Sequence, residues 1–98
     1  MSHSDLSFLT TLESVIDDRF ENPAAESYTA SLIAGGTKRV AQKVGEEAVE
    51  LALAAVAGNR AETLSESADL LFHVLVLLRD QGMGLADVAA ELESRHQG

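Results

Sequence analysis

The segment from Leu70 to Leu78 constrains the fold of this chain more than any other, because it is apolar at every position except His73. A helix that is apolar on all sides has to be surrounded by other elements. A chain of 98 residues buries only a small core by itself. We therefore expect a second copy to complete the burial, in a homodimer whose interface includes this helix. The alternative is a central helix wrapped within one subunit.

The other apolar residues recur at spacings of three and four, which is the period of a helix, and no stretch alternates as a strand does. Breaks at Asn22-Pro23, Gly35-Gly36, Gly58 and Gly82 divide the chain. The pattern predicts a first helix of about four turns from Leu6 to Phe20, a second around Ser27 to Ala34, a third capped by Thr37, a fourth from Arg60 to Asp80 opened by an Asn59–Glu62 capping box, and a last from Leu85 to Arg95. We expect a single all-α domain over residues 1–98, an antiparallel bundle of about five helices completed by homodimerisation.

The charge balance limits the partners of the chain. It carries 16 acidic and 7 basic residues, for a formal net charge of −9. This argues against nucleic-acid binding, because contacts to phosphates need many Lys and Arg residues. No run approaches the roughly 18 apolar residues of a membrane span, and Met1 to Asp5 lacks the features of a signal peptide. The chain also contains no Cys. We expect a cytoplasmic protein with no membrane association and no thiolate metal site.

Two acidic motifs lie on the third and fourth helices: E-E-x-x-E at Glu46, Glu47 and Glu50, and E-x-x-D at Glu66 and Asp69. Residues three apart lie on the same side of a helix. The apolar arc of the third helix is predicted to consist of Val40, Val44, Ala48, Leu51 and Ala55. Glu47 lies within about 20° of this arc, Glu50 lies at its edge, and Glu46 lies further round and is more exposed.

A carboxylate that faces an apolar interface is costly unless it is paired or binds a metal. On neighbouring antiparallel helices, four acids would form an oxygen-only site: Glu47, Glu50, Glu66 and Asp69. Such a site suits Mg²⁺, with Mn²⁺ as a substitute. The alternative is that each acidic pair is an ordinary solvated helix face. His73 lies on the same stripe as Glu66 and Asp69, but its spacing is not the E-x-x-H of di-iron bundles, and we interpret it as a buried, hydrogen-bonded histidine.

Two longer stretches carry a resemblance to a known family: AQKVGEEAVELALAA (Ala41 to Ala55) and ESADLLFHVLVLL (Glu66 to Leu78). Together with SYTASLIAGG (Ser27 to Gly36) and AELESRH (Ala90 to His96), they resemble the phosphoribosyl-ATP pyrophosphatases of histidine biosynthesis. That family belongs to the MazG-like all-α NTP pyrophosphatases. The resemblance runs from about Leu9 to His96.

The resemblance implies a reaction and a set of site residues. The reaction is hydrolysis of the α–β phosphoanhydride of 1-(5-phosphoribosyl)-ATP to 1-(5-phosphoribosyl)-AMP and pyrophosphate, the second step of histidine biosynthesis, by a helical dimer. The implied Mg²⁺ ligands are Glu47, Glu50, Glu66 and Asp69, and the implied catalytic residues are Glu46, which orients or deprotonates water, and Glu47. Three cations are expected to hold substrate phosphates: Lys43, Lys38 and Arg39. Lys38 and Arg39 alternatively form an ordinary solvated helix start.

Three questions stay open at this point. Ser27, Tyr28 and Thr29 belong to a family motif, and they either contact the ligand or only cap and pack the second helix. A pyrophosphatase of the same superfamily that acts on canonical or damaged dNTPs is an alternative enzyme. A non-catalytic dimerisation module, whose acids only keep it soluble, is an alternative from another class.

Overall fold

The computed structural model describes residues 5–23 and 26–97. Over these residues the chain forms five α-helices and no strand: α1 Ser7–Glu21, α2 Tyr28–Ala34, α3 Gly36–Val56, α4 Arg60–Asp80 and α5 Leu85–Arg95. The all-α prediction is confirmed, and α4 and α5 have the predicted bounds. The prediction about Met1 to Asp5 falls mainly on residues outside the described ranges. None of the helices described has both the length and the apolar character that crossing a bilayer requires.

Side chains and glycines define most of the helix ends as predicted. The Ser27 hydroxyl accepts a hydrogen bond from Ala30 N–H at 3.0 Å and caps α2. The Asn59 side chain caps α4 by accepting from Glu62 N–H at 3.0 Å. The second half of the predicted capping box is not formed, because the Asn59 N–H donates to Ala54 O at 3.1 Å instead.

The predicted cap of α3 is wrong. The helix begins at Gly36, so Thr37 lies inside its first turn. Gly36 has a φ of 80°, a conformation that favours glycine and that lets α3 follow α2 without a linker. The Thr37 hydroxyl donates instead to Asp80 Oδ2 at 2.6 Å, which ties the start of α3 to the end of α4.

The centre of the fold is the pair of α3 and α4. Residues 57–59 join them, with Gly58 at a φ of 74°. A connection this short makes the two helices antiparallel. The buried core draws on α1, α2, α3 and α4: Ile16, Leu32, Val40, Leu75 and Val76.

The buried face of α3 is rotated from the predicted arc. Its buried residues are Val40, Glu47 and Ala54, whereas Ala48 and Ala55 are exposed. The physical reason is that α4 covers a face centred close to Glu47, and alanine fits both exposed and buried positions.

The prediction that α4 is surrounded on all sides is met only in part within one chain. His73, Leu75 and Val76 are buried, but Leu71 is 36% exposed. Other large apolar side chains are also exposed: Val49, Leu53 and Val56 on α3 and Leu64 on α4. Homodimerisation stays a prediction, and these side chains are the surface that a second copy would cover.

Candidate metal centre

The antiparallel pairing of α3 and α4 brings three of the predicted acids together. Glu47 comes from α3, and Glu66 and Asp69 come from α4, three residues apart on one face. One carboxylate oxygen from each of these residues lies within 4.8 Å of the other two. We call these three residues the candidate metal centre.

The burial of this group makes it different from an ordinary solvated face. Glu47 is only 7% exposed, although its residue type is mostly found at the surface. The Oε2 atoms of Glu47 and Glu66 are buried and have no hydrogen-bond partner among the described residues. A buried charged oxygen without a partner is unfavourable. The donor set fits Mg²⁺ or Mn²⁺, because hard divalent ions prefer carboxylate oxygens.

Glu50, the fourth predicted ligand, lies next to this group and not within it. Its side chain is exposed and is not one of the three that converge within 4.8 Å. Interaction with the Glu50 side chain is the largest cause that raises the pKa of Glu66, to about 7, and burial and the charges of Glu47 and Asp69 add to it. The four predicted acids therefore lie close enough to influence one another, and their role as metal ligands stays a prediction.

Lys43 lies beside the candidate metal centre. Its Nζ is 3.5 Å from Glu47 Oε1 and 3.7 Å from Glu46 Oε1. Burial by itself would lower the pKa of Lys43, but Tyr28, Glu47 and Glu46 together raise it above its usual range. The sequence placed this lysine next to Glu47, and the structure confirms that position. One lysine supplies a single positive charge to a region that holds several acids.

The remaining predicted site residues are not among the three converging acids. Glu46 is exposed, and its Oε2 accepts from Gln42 Nε2 at 3.0 Å. This hydrogen bond is the main cause that lowers the pKa of Glu46, and the nearby charges of Lys43 and Arg39 act in the same direction. Lys38 and Arg39 are exposed in the first turns of α3, and within the described ranges they form no ion pair.

The structure also shows a contact that sequence reasoning missed. His73 is buried, as interpreted, and both of its ring nitrogens are engaged. Its Nδ1 lies 2.7 Å from Asp69 O, and its Nε2 lies 2.8 Å from the Tyr28 hydroxyl. Tyr28 and His73 are 45 residues apart, so no local period could have indicated the contact.

A cavity opens beside the acids on the side away from Lys43. It has a volume of about 530 Å³ and lies between the second half of α3 and the start of α4. Glu50 and Glu66 form one wall, and Leu53 and Ala54 supply apolar surface. Of the candidate metal centre, Glu66 is therefore accessible to a ligand from this cavity, together with the neighbouring Glu50.

Comparison with known proteins finds similar sequences over most of the chain. The family model described as "Phosphoribosyl-ATP pyrophosphohydrolase" matches residues 9–96. The chain is 56% identical over 91 residues to the "Histidine biosynthesis bifunctional protein HisIE" of Photobacterium profundum, covering 93% of this chain and 44% of that protein. The protein of the same name in Vibrio cholerae is 52% identical over 94 residues, covering 96% of this chain and 45% of that protein. The one in Yersinia pestis is 51% identical over 94 residues, covering 96% and 46%. The chain thus spans about half the length of these relatives.

Proposed function

Since the chain belongs to the phosphoribosyl-ATP pyrophosphohydrolase family, we propose that it hydrolyses 1-(5-phosphoribosyl)-ATP at the α–β phosphoanhydride. The products are 1-(5-phosphoribosyl)-AMP and pyrophosphate. The names of the relatives support a place for this reaction in histidine biosynthesis. The relatives are described as bifunctional, and the proposal concerns only the activity of the family that this chain matches.

We propose that the reaction depends on Mg²⁺, with Mn²⁺ as a substitute. The observation that supports this is the candidate metal centre itself, where two buried carboxylate oxygens have no partner among the described residues. Glu47, Glu66 and Asp69 would hold the ion, and Glu50 would complete the ligand set from its exposed position. When bound, the ion neutralises charge on the triphosphate and polarises the attacked phosphorus.

The other side chains contribute by position and charge. A triphosphate and the acids repel each other, so cations are needed on the substrate side. Lys43 is the best placed of these, because its ammonium lies beside Glu47. Lys38 and Arg39 are proposed to contact the phosphates that extend towards the start of α3. We propose that Glu46 orients or deprotonates the attacking water; its exposed position and its hydrogen bond to Gln42 support the orienting role, since a lowered pKa makes a carboxylate a weaker base.

We also propose a homodimer in the cytoplasm. The exposed apolar side chains of α3 and α4, Val49, Leu53 and Leu64 among them, support a subunit interface. The helix α5 supports it too, since none of its residues is buried within the chain.

Release of pyrophosphate tests the proposed activity. Purified protein is incubated with phosphoribosyl-ATP, with Mg²⁺ and with EDTA, and the products are separated. We expect pyrophosphate and phosphoribosyl-AMP in equal amounts with Mg²⁺ and none with EDTA. Turnover of dNTPs without turnover of phosphoribosyl-ATP would favour the dNTP pyrophosphatase. No turnover of either, with no specific stabilisation by Mg²⁺, would favour the dimerisation module.

A further inference from the structure

The helix α5 begins without a side chain of its own at the capping position. Its N-cap residue is Gly84, which is extended (φ −141°, ψ 179°) and has no side-chain oxygen to offer. A capping side chain normally accepts a hydrogen bond from one of the first N–H groups of the helix. Glu13 of α1 supplies such an acceptor, because the Leu85 N–H donates to Glu13 Oε2 at 2.7 Å although the two residues are 72 positions apart.

The position of the Glu13 carboxylate matches the missing side chain at Gly84. A Cβ at Gly84 would lie 3.1 Å from Glu13 Oε2, which is tighter than an ordinary van der Waals contact. The carboxylate therefore occupies space next to the place of a local cap. A negative charge at this position also interacts favourably with the N-terminal end of the α5 dipole. Gly84 thus leaves room for a capping carboxylate that comes from another helix.

The other attachments of α5 to the fold are weak. None of its residues is buried, and among the described residues of this helix only Leu85, in the first turn, packs against the buried core. Within the described ranges, Glu13 is also the one side chain that hydrogen-bonds α5 to another helix. A cavity of about 480 Å³ separates part of α1 from the turn that precedes α5. Both attachments therefore lie in the first turn, and the rest of the helix depends on them.

We propose that Glu13 is a latch that fastens α5 to α1, and that α5 opens as a unit when this contact breaks. An element with few buried contacts opens locally at a lower free energy than the whole domain unfolds. Because α5 is attached only through its first turn, the Glu13 hydrogen bond sets much of the free energy of this opening. The latch also fixes the direction in which α5 presents Leu92, which is 49% exposed. This inference is independent of the proposed activity.

Hydrogen exchange followed by mass spectrometry tests the latch, with peptides from α5 compared with peptides from α3 and α4. In the wild-type protein the α5 amides should exchange together and faster than those of α3 and α4. In Glu13→Ala the exchange of α5 should accelerate about ten- to a hundredfold, the effect of one lost hydrogen bond to a charged group, while α3 and α4 stay unchanged. Glu13→Gln keeps an acceptor oxygen and should accelerate α5 exchange less.

The matched control is Ser14→Ala, because Ser14 lies beside Glu13 at the same cavity and its hydroxyl donates within α1, to Thr10 O at 3.3 Å. We expect no change in α5 exchange for it. Unchanged α5 exchange in Glu13→Ala would overturn the latch. An equal acceleration in α3 and α4 would overturn it too, since α5 would then open only with the whole fold. If Glu13→Ala fails to fold, the wild-type order of exchange decides, and α5 amides that exchange no faster than those of α3 would overturn the latch.

A local cap at Gly84 separates the capping role of Glu13 from its other effects. The extended backbone of Gly84 is a conformation that serine adopts at an N-cap, where its hydroxyl accepts from the N–H two or three residues on. In Glu13→Ala, the further change Gly84→Ser should slow α5 exchange several-fold. In the wild-type background the same change should not slow it, because the new side chain would crowd Glu13 Oε2. Equal effects in the two backgrounds would overturn the inference that Glu13 caps α5.

Discussion

The two ends of α4 differ in how their charged side chains are paired. Near its C-terminal end, Arg79 Nε donates to Asp17 Oδ1 of α1 at 2.7 Å, and the guanidinium lies 4.9 Å from the centroid of the Phe20 ring. Asp80 accepts from Thr37 of α3. We call this region the Arg79 end. In the N-terminal half of the same helix, Glu66 and Asp69 lie against Glu47 of α3 in the candidate metal centre.

The difference shows which end is built to hold an ion. At the Arg79 end Arg79 is paired with Asp17, and Asp80 accepts hydrogen bonds from Thr37 and Gln81, so each charged group already has a partner. At the candidate metal centre, the Glu50 side chain is the largest cause that raises the pKa of Glu66, and burial and the other carboxylates raise it further. Two carboxylate oxygens there also have no hydrogen-bond partner in the described part of the chain. Repulsion between these carboxylates destabilises the metal-free protein, and a divalent cation would remove that repulsion. Changes at the two ends should therefore affect different measurements.

The largest effect is expected from Glu47→Gln. This variant removes one negative charge from the candidate metal centre and keeps the size of the side chain. We expect Mg²⁺-dependent pyrophosphate release to fall more than about a hundredfold, beyond the range known for residues that only support metal ligands. The circular dichroism spectrum and the oligomeric state should not change. Glu50→Gln should also abolish turnover, and retained activity in both variants would remove these residues from the metal site.

A smaller loss is expected from Glu46→Gln. Glu46 is exposed and hydrogen-bonded to Gln42, so it is not one of the three converging acids. If it orients water through hydrogen bonds, the amide should keep part of this role and kcat should fall about tenfold. A loss of about a thousandfold would identify Glu46 as the general base. The measurement is kcat at saturating Mg²⁺, with Glu62→Gln on α4 as the control.

The pH dependence of stability tests the same contrast without turnover. The folded-state pKa of Glu66 is about 7 and the ordinary value is 4.5. The folded chain therefore binds the Glu66 proton more tightly than the unfolded chain does. The stability contributed by this protonation is present below about pH 4.5 and is lost as the pH rises through about 7. We expect the melting temperature of the protein in EDTA to fall across this window.

Glu66→Gln should flatten that pH profile, because the variant has no proton to lose there. In the wild-type protein at about pH 8, Mg²⁺ should raise the melting temperature more than an equal ionic strength of NaCl does, since it binds only the folded state. Glu66→Gln should lose most of this specific increase. A profile of the variant that runs parallel to the wild type would contradict the assignment of the shift to Glu66.

The sequence predicted much of this fold because its local signals are strong. The cap at Asn59 and the break near Gly82 define both ends of α4, and the two acidic motifs led to the family that the comparisons confirm. The buried face of α3 was harder to predict, because alanines such as Ala48 and Ala55 occur at both buried and exposed positions. The metal ligands stay a prediction.

The contacts that the sequence did not predict join residues far apart in the chain. The Tyr28–His73 hydrogen bond spans 45 residues, and the Arg79–Asp17 contact spans 62. Such pairs depend on how the helices pack and on the rotation of each about its axis, which helical periodicity does not determine. The acidic motifs in the sequence indicate that carboxylates are crowded, but only the packing of the helices determines which carboxylate has an ion-pair or hydrogen-bond partner.

The smallest effect on activity is expected at the Arg79 end. Arg79→Met keeps an unbranched stem over Phe20 and removes the guanidinium, so the ion pair to Asp17 and the cation–π contact are both lost. Both side chains are partly exposed, so the expected loss of unfolding free energy is about 1 kcal/mol, which lowers the melting temperature by about 4–8 °C in a domain of this size. Asp17→Asn, which keeps the contact to the ring, should lose less.

Pyrophosphate release and its dependence on Mg²⁺ should equal the wild type below the melting range, because no cation is recruited at this end. A changed Mg²⁺ requirement in Arg79→Met would mean that the two ends of α4 are coupled, and the contrast between a paired end and a metal-binding end would fail.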